Sequence, residues 1–149
     1  MKKLKLMQKD CLGQIINKTD GAGRKIDYSY YPEKLLKKVQ YYDGRSQEFW
    51  YDGNSNIIKM KNQDDYSVNL TYDCLNRCIA VIDSMNNKKS YVYDKGENIT
   101  FLKNANGNIT QYEYSPNGNI TKVMDSLGYY TCYEYDCMGK LASAIRKSI

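Results

Sequence analysis

Four aspartates invite a catalytic reading. Asp52, Asp73, Asp94 and Asp136 each directly follow a tyrosine, and paired carboxylates can act as general acid and base in glycoside cleavage. Their spacing argues against it. They recur at one phase of a periodic sequence, and no residue stands out from that background as a unique catalytic partner would. An aspartate that opens a turn instead accepts hydrogen bonds from its own backbone two residues on. The chain contains no histidine, which excludes Ser-His-Asp and Cys-His groups and any imidazole metal ligand within it. Five cysteines, Cys11, Cys74, Cys78, Cys132 and Cys137, are an odd number, so at least one thiol is free or pairs with another chain. The spacings Cys74-x3-Cys78 and Cys132-x4-Cys137 are not the tight pairs of zinc ribbons. Cys11, Cys74 and Cys137 fall at one repeat phase and read as occupants of a turn position. No metal, no cofactor and no enzymatic activity are expected.

Binding chemistry is the other candidate. Exposed aromatics beside Asn and Asp suit sugar faces, and Trp50, Tyr66 and Tyr129 lie off the main tyrosine phase, which makes them the possible ligand-facing residues. Lysines and arginines crowd the first forty residues, and the net charge is +5. Basic-aromatic surfaces can hold single strands, but no nucleic-acid motif accompanies these residues. A solvated basic face is the better reading, with no nucleic-acid partner. Mean hydropathy is −0.72, and no apolar run approaches the roughly 20 residues a membrane span requires. The basic start lacks the apolar stretch of a signal peptide, because Lys9 and Asp10 interrupt it.

The elements that carry these residues follow from a repeat. Tyr30, Tyr51, Tyr72, Tyr93, Tyr114 and Tyr135 lie 21 residues apart, and Lys9 holds the preceding slot. Another aromatic or apolar residue stands two positions before each: Tyr28, Phe49, Leu70, Tyr91, Tyr112 and Tyr133. A first turn signal follows each anchor, at Gly13, Gly118 and Gly139 four residues on, with Gly53 and Gly96 slightly earlier in their copies. A second falls ten residues later, at Gly23, Gly44, Gly107 and Gly128, preceded by three residues by Asp20, Asn62, Asp83, Asn104 or Asp125; Tyr41 breaks that rule. Seven copies then fill residues 9–149, the last incomplete, behind a basic lead at 1–8.

Segments of 6–7 residues between Gly/Asn/Asp turns have the length of strands. Tyr112-Glu113-Tyr114 and its counterparts alternate with period two, which puts both rings on one face. Short loops force antiparallel neighbours. The expected fold is all-β, an antiparallel meander of two strands per repeat, open or spiralling, in which tyrosines of neighbouring copies form cross-strand ladders. The second strand of each copy is less regular. Ile99 and Leu102 have opposite parity, which a bulge or a strand buried on both faces would explain.

The pattern Tyr-Asp-x-x-Gly-x-Ile/Leu, then Asp/Asn-x-x-Gly, then Tyr-x-Tyr-Asp resembles the YD repeat of the Rhs family. Its best matches are Tyr114 to Gly128 and Tyr133 to Leu141, and it covers almost the whole chain; drift is strongest at Tyr30–Trp50. The resemblance implies a segment of a β-sheet shell in a bacterial Rhs polymorphic toxin or a wall-associated protein, with teneurin-like shell repeats. It implies as partners further YD repeats of the same or a neighbouring chain, a toxic C-terminal domain and cell-surface carbohydrate. It implies a secreted or wall location as part of a larger protein. The repeat-defining residues are then structural: Tyr30, Tyr51, Asp52, Tyr72, Asp73, Tyr93, Asp94, Tyr114, Gly118, Gly128, Tyr135, Asp136 and Gly139. The family's Asp-Pro-x-Gly core motif is missing, as is the toxic domain, so self-cleavage is not carried over. Seven repeats are few for a closed cocoon, which suggests a fragment or one piece of a split gene. An adhesion module and a truncated remnant without independent function are the alternatives.

Overall fold

A computed structural model describes residues 6–148. Among them every regular element is a strand. The strand order of the fourteen-stranded sheet is the order in the chain, and every described pairing is antiparallel. The meander expected from the sequence is therefore the observed fold.

The chain divides into two compact units, Met1–Leu70 and Thr71–Ile149. The first carries β1 (Leu6–Lys9), β2 (Ile15–Thr19), β3 (Lys25–Tyr30), β4 (Leu36–Tyr41), β5 (Ser46–Tyr51) and β6 (Ile57–Asn62), and the division falls within β7 (Ser67–Tyr72). β1 begins inside the stretch read from sequence as a lead. The second unit carries β8 (Cys78–Asp83), β9 (Lys88–Tyr93), β10 (Ile99–Lys103), β11 (Ile109–Tyr114), β12 (Ile120–Met124), β13 (Tyr130–Tyr135) and β14 (Leu141–Lys147).

One turn design joins all of these strands. If the residue that opens a turn is numbered zero, its N–H donates to the carbonyl of residue +4, and the N–H of residue +3 returns to its carbonyl; this holds in all thirteen turns. Residue +3 has positive φ every time. A type I turn closed by a left-handed residue is the standard three-residue hairpin loop, and its twist matches that of the strands. In ten turns an Asp or Asn opens the loop, and its Oδ1 accepts the N–H groups of residues +2 and +4, as Asp52 does from Asn54 and Asn56 and Asn104 does from Asn106 and Asn108. The turn opened by Tyr41 obtains a similar lock from inside the loop, where Asp43 accepts the Arg45 N–H at 3.2 Å.

The left-handed site keeps its place even where glycine does not. Lys34, Ser55, Asn76 and Glu97 occupy it at φ of 65°, 68°, 61° and 66°. Gly53 and Gly96 sit at other positions of their loops, so period outranks residue preference here.

Register explains the irregular second strand. In each first-turn hairpin whose pairing is described, one residue is skipped: Tyr30 pairs Leu36 but Ser29 pairs Lys38, and Tyr93 pairs Ile99 but Val92 pairs Phe101. The skipped residues, Lys37 and Thr100 among them, are β-bulges. The bulge restores parity. Ile99 and Leu102 lie opposite Tyr93 and Tyr91 and so share their face. The same pairing gives Leu36 and Val39 to Tyr30 and Tyr28, and Ile120 and Val123 to Tyr114 and Tyr112.

Each unit is thus a single sheet layer with an aromatic-aliphatic face, called here the phenol face. Val39 is the one hydrophobic side chain that is buried among the described residues, and no side chain is fully enclosed. The accessible surface is 10878 Å², against roughly 7,800 Å² for a compact monomer of the same mass.

Candidate functional site

The repeating tyrosines form the most regular constellation in the molecule. Each anchor ends an odd-numbered strand. The carbonyl it reaches lies at the start of the preceding even-numbered strand, beside the bulge. Tyr30 Oη donates to the Ile15 carbonyl at 2.9 Å, Tyr51 to Leu36 at 2.9 Å, Tyr93 to Cys78 at 2.8 Å, Tyr114 to Ile99 at 2.8 Å and Tyr135 to Ile120 at 2.8 Å. The offset is 15 residues in every case. Tyr72 stands at the same phase on β7.

The bond answers an accounting problem. The backbone ladder between β10 and β11 runs from Lys103↔Ile109 to Phe101↔Gln111 and ends there. The β2–β3, β4–β5, β8–β9 and β12–β13 ladders end at the equivalent rung. Beyond it the strands separate, and the carbonyl before the bulge needs another donor, since a peptide group away from water loses free energy when unpaired. The phenol supplies it. Tyr30, Tyr51, Tyr93 and Tyr114 are held protonated above the ordinary tyrosine range, chiefly because burial disfavours the phenolate.

The coupling between copies therefore differs from the expected stacking of ring upon ring. Anchors two strands apart are separated by about 9.6 Å, beyond the 4.5–7 Å or so at which rings make contact. They connect by hydroxyl to carbonyl instead. Tyr31 adds a local exception, meeting Tyr51 edge to face at 6.2 Å and donating to the Phe49 carbonyl at 3.0 Å. It opens the turn of the most divergent copy. Arg77 makes a second link between turns: it pairs with Asp73 at 2.8 Å, donates to the Asp94 carbonyl at 2.8 Å and lies over the Tyr93 ring at 4.8 Å. Sequence reading singled out neither the 15-residue bond nor Arg77. The parity break in the second strand was the available signal for the former, because a bulge frees a carbonyl.

The repeat aspartates are turn locks. Asp52, Asp73, Asp94 and Asp136 each accept two backbone N–H groups through Oδ1. Asn56 and Asn98 also donate to Asp52 and Asp94, and these bonds hold both carboxyls below their usual range. Asp73 is held low first by its bond from the Arg77 N–H. Gly118, Gly128 and Gly139 are left-handed turn residues at φ of 80°, 88° and 76°. No group of three or more acidic, Cys or His residues that could hold a metal occurs among the described residues. The five cysteines are free thiols, with Cys11, Cys74 and Cys137 exposed at turns.

Trp50 lies on β5, and Lys59 Nζ sits over its ring at 5.2 Å. It lines a shallow depression with Tyr31, Glu33, Leu35 and Tyr51. Tyr66 follows the turn opened by Asn62 and lines a separate depression with Phe49, Met60 and Val68. Tyr129 holds the equivalent turn position in the second unit, where Arg146 lies over its ring at 5.5 Å.

No protein-family model matches the chain, and no curated protein matches it. Solved structures do match in fold. Crystal structures described as TcdB2-TccC3-Cdc42 and TcdB2-TccC3 superpose over 97% of this chain with TM-scores of 0.82 and 0.81, each at 15% identity. The Photorhabdus luminescens Tc holotoxin pore in a TccC3 mutant form gives 0.79, again over 97% of the chain at 15% identity. The chain spans 9% of the length of each of those chains. What it shares with them is the architecture of a long antiparallel meander.

Proposed function

We propose that this chain is a non-enzymatic wall segment of an Rhs-type toxin or wall-associated protein, where its sheet forms part of a shell that encloses or presents a toxic C-terminal domain. The observation that carries the reading is the single-layer sheet itself. One turn design and one inter-copy bond recur at a fixed period, and almost no side chain among the described residues is buried. Such a chain has the construction of a panel, stabilised by neighbour-to-neighbour contacts rather than by a core. Likeness in fold to segments of Tc toxin structures supports the same reading. Its partners are then further repeats of the same or a neighbouring chain and a toxin domain, and the assembled protein is secreted.

The competing adhesion reading, sugar binding through Trp50, Tyr66 and Tyr129, has less support. Lys59 and Arg146 lie over the rings of Trp50 and Tyr129, where a sugar would stack. The two readings separate cleanly. The shell reading expects flanking reading frames with further 21-residue repeats and a toxic domain. Electron microscopy of the chain expressed with those frames then shows an enclosed density. A glycan array with the purified chain gives no saturable binding. Saturable binding that Trp50→Ala abolishes, with no further repeats in the flanking frames, overturns the shell reading in favour of adhesion.

A further inference from the structure

The face opposite the phenols changes character between the two units. In the first it is mostly polar, with Trp50 beside Lys59 the exception. Asn17 donates to Asp27, Lys25 pairs with Asp27, and Lys38 pairs with Glu48 across β4 and β5. In the second, the cross-strand pairs Val92↔Phe101, Gln111↔Met124 and Met124↔Tyr130 make a mostly apolar row over β9 to β13. Val92 is 54% exposed and Phe101 41%. These are interior strands, where an exposed large apolar side chain has no edge or turn to account for it. A sheet face of this kind is ordinarily covered by another layer.

We propose that this face of the second unit packs against the same face of a second copy of the chain. Two observations favour that occupant. Charge on the face is graded along the strands. Lys88 and Lys103 lie toward the ends that carry the second turns, whereas Glu113 and Glu134 lie toward the ends that carry the first turns, with the apolar row between; Lys122 already pairs with Glu113 at 3.1 Å, so Glu134 is the acid left to meet a second copy. A two-fold axis lying across the strands sets the basic end of one copy over the acidic end of the other, the self-complementarity that an isologous interface requires. The second observation is area. The chain exposes 10878 Å², about 3,000 Å² more than a compact monomer of its mass, an excess spread over both faces and the edges of the sheet, and a standard interface takes roughly 800 Å² from each partner.

Sedimentation velocity of the full chain across a concentration series tests this, with far-UV circular dichroism to confirm β structure in each variant. The expected result is a reversible dimer. Phe101→Lys raises its dissociation constant at least tenfold without loss of β signal. Lys103→Glu weakens it, and adding Glu134→Lys recovers part of the loss. Because Phe101→Lys changes an exposed side chain and the charge pair leaves the apolar row untouched, the two variants check each other for misfolding. A monomer at all concentrations overturns the proposal. A dimer indifferent to both variants also overturns it, since the copies then meet through strand edges or the phenol face.

Discussion

Replacing Tyr114 by phenylalanine removes one oxygen and leaves the ring in place. The burial of the aromatic is unchanged, so the loss isolates the 2.8 Å bond to the Ile99 carbonyl. That carbonyl sits past the last rung of the β10–β11 ladder, on a half-buried residue. A hydrogen bond of this sort contributes about 0.5–1.5 kcal/mol net, and the penalty rises toward about 3 kcal/mol if the abandoned acceptor stays dry. Half-burial admits some water, so the expected loss is about 1–1.5 kcal/mol. In urea that is a midpoint shift of about 0.5 M for a denaturant slope of about 2 kcal/mol/M. Hydrogen exchange offers a local reading, with amides in residues 99–114 exchanging about five- to tenfold faster. Tyr112→Phe is the control. Tyr112 shares the strand and the face, opposite Val123, but does not hold the anchor position, and its loss stays under about 0.5 kcal/mol. Equal effects of the two variants, or no effect of Tyr114→Phe, would refute the idea that the phenol replaces a backbone rung.

Other perturbations follow from the same construction. Stability declines as pH rises above about 10, because the folded chain holds the phenol protons of Tyr30, Tyr51, Tyr93 and Tyr114 more tightly than the unfolded chain does; urea midpoints at pH 9 and 11 measure this, and the decline is shallower in Tyr114→Phe. Stability also falls as pH drops below about 4, because the carboxyls of Asp52, Asp73 and Asp94 titrate lower when folded; acid titration followed by circular dichroism shows it. Glu97→Gly relieves a left-handed residue at φ of 66° and raises stability by about 1 kcal/mol, measured by urea denaturation. Asp125→Asn preserves the turn lock, as Asn62 and Asn104 already do at equivalent sites, whereas Asp125→Ala lowers the thermal midpoint.

Much of this architecture is legible from the tyrosines alone. Their spacing, with the alternation at Tyr112-Glu113-Tyr114, carries strand length, direction and the common face. Turn placement is legible too, because the left-handed site recurs four residues after the anchor even when Lys34 or Glu97 fills it. Residue preference would have misplaced those loops toward Gly53 and Gly96. The bond between copies was hidden because it joins a side chain to a backbone carbonyl, and carbonyls carry no sequence identity. The change on the opposite face was overlooked for a different reason. Val92 and Phe101 occupy variable positions of the repeat, and attention to the constant positions passes over them. Trp50 and Tyr129 show the converse. Their departure from phase marked them, yet neighbouring cations occupy their rings.

The bulge beside each first turn has a consequence for how such chains can change. Because it shifts parity once in every 21 residues, a whole copy can be duplicated or excised and the sequence downstream still presents its phenols to the same side. Losing the bulge residue by itself, by contrast, would flip the remainder of that strand, and the hydroxyl from the next copy would find its acceptor displaced. Length in this fold is thus free to vary by whole modules while remaining intolerant of single-residue slips.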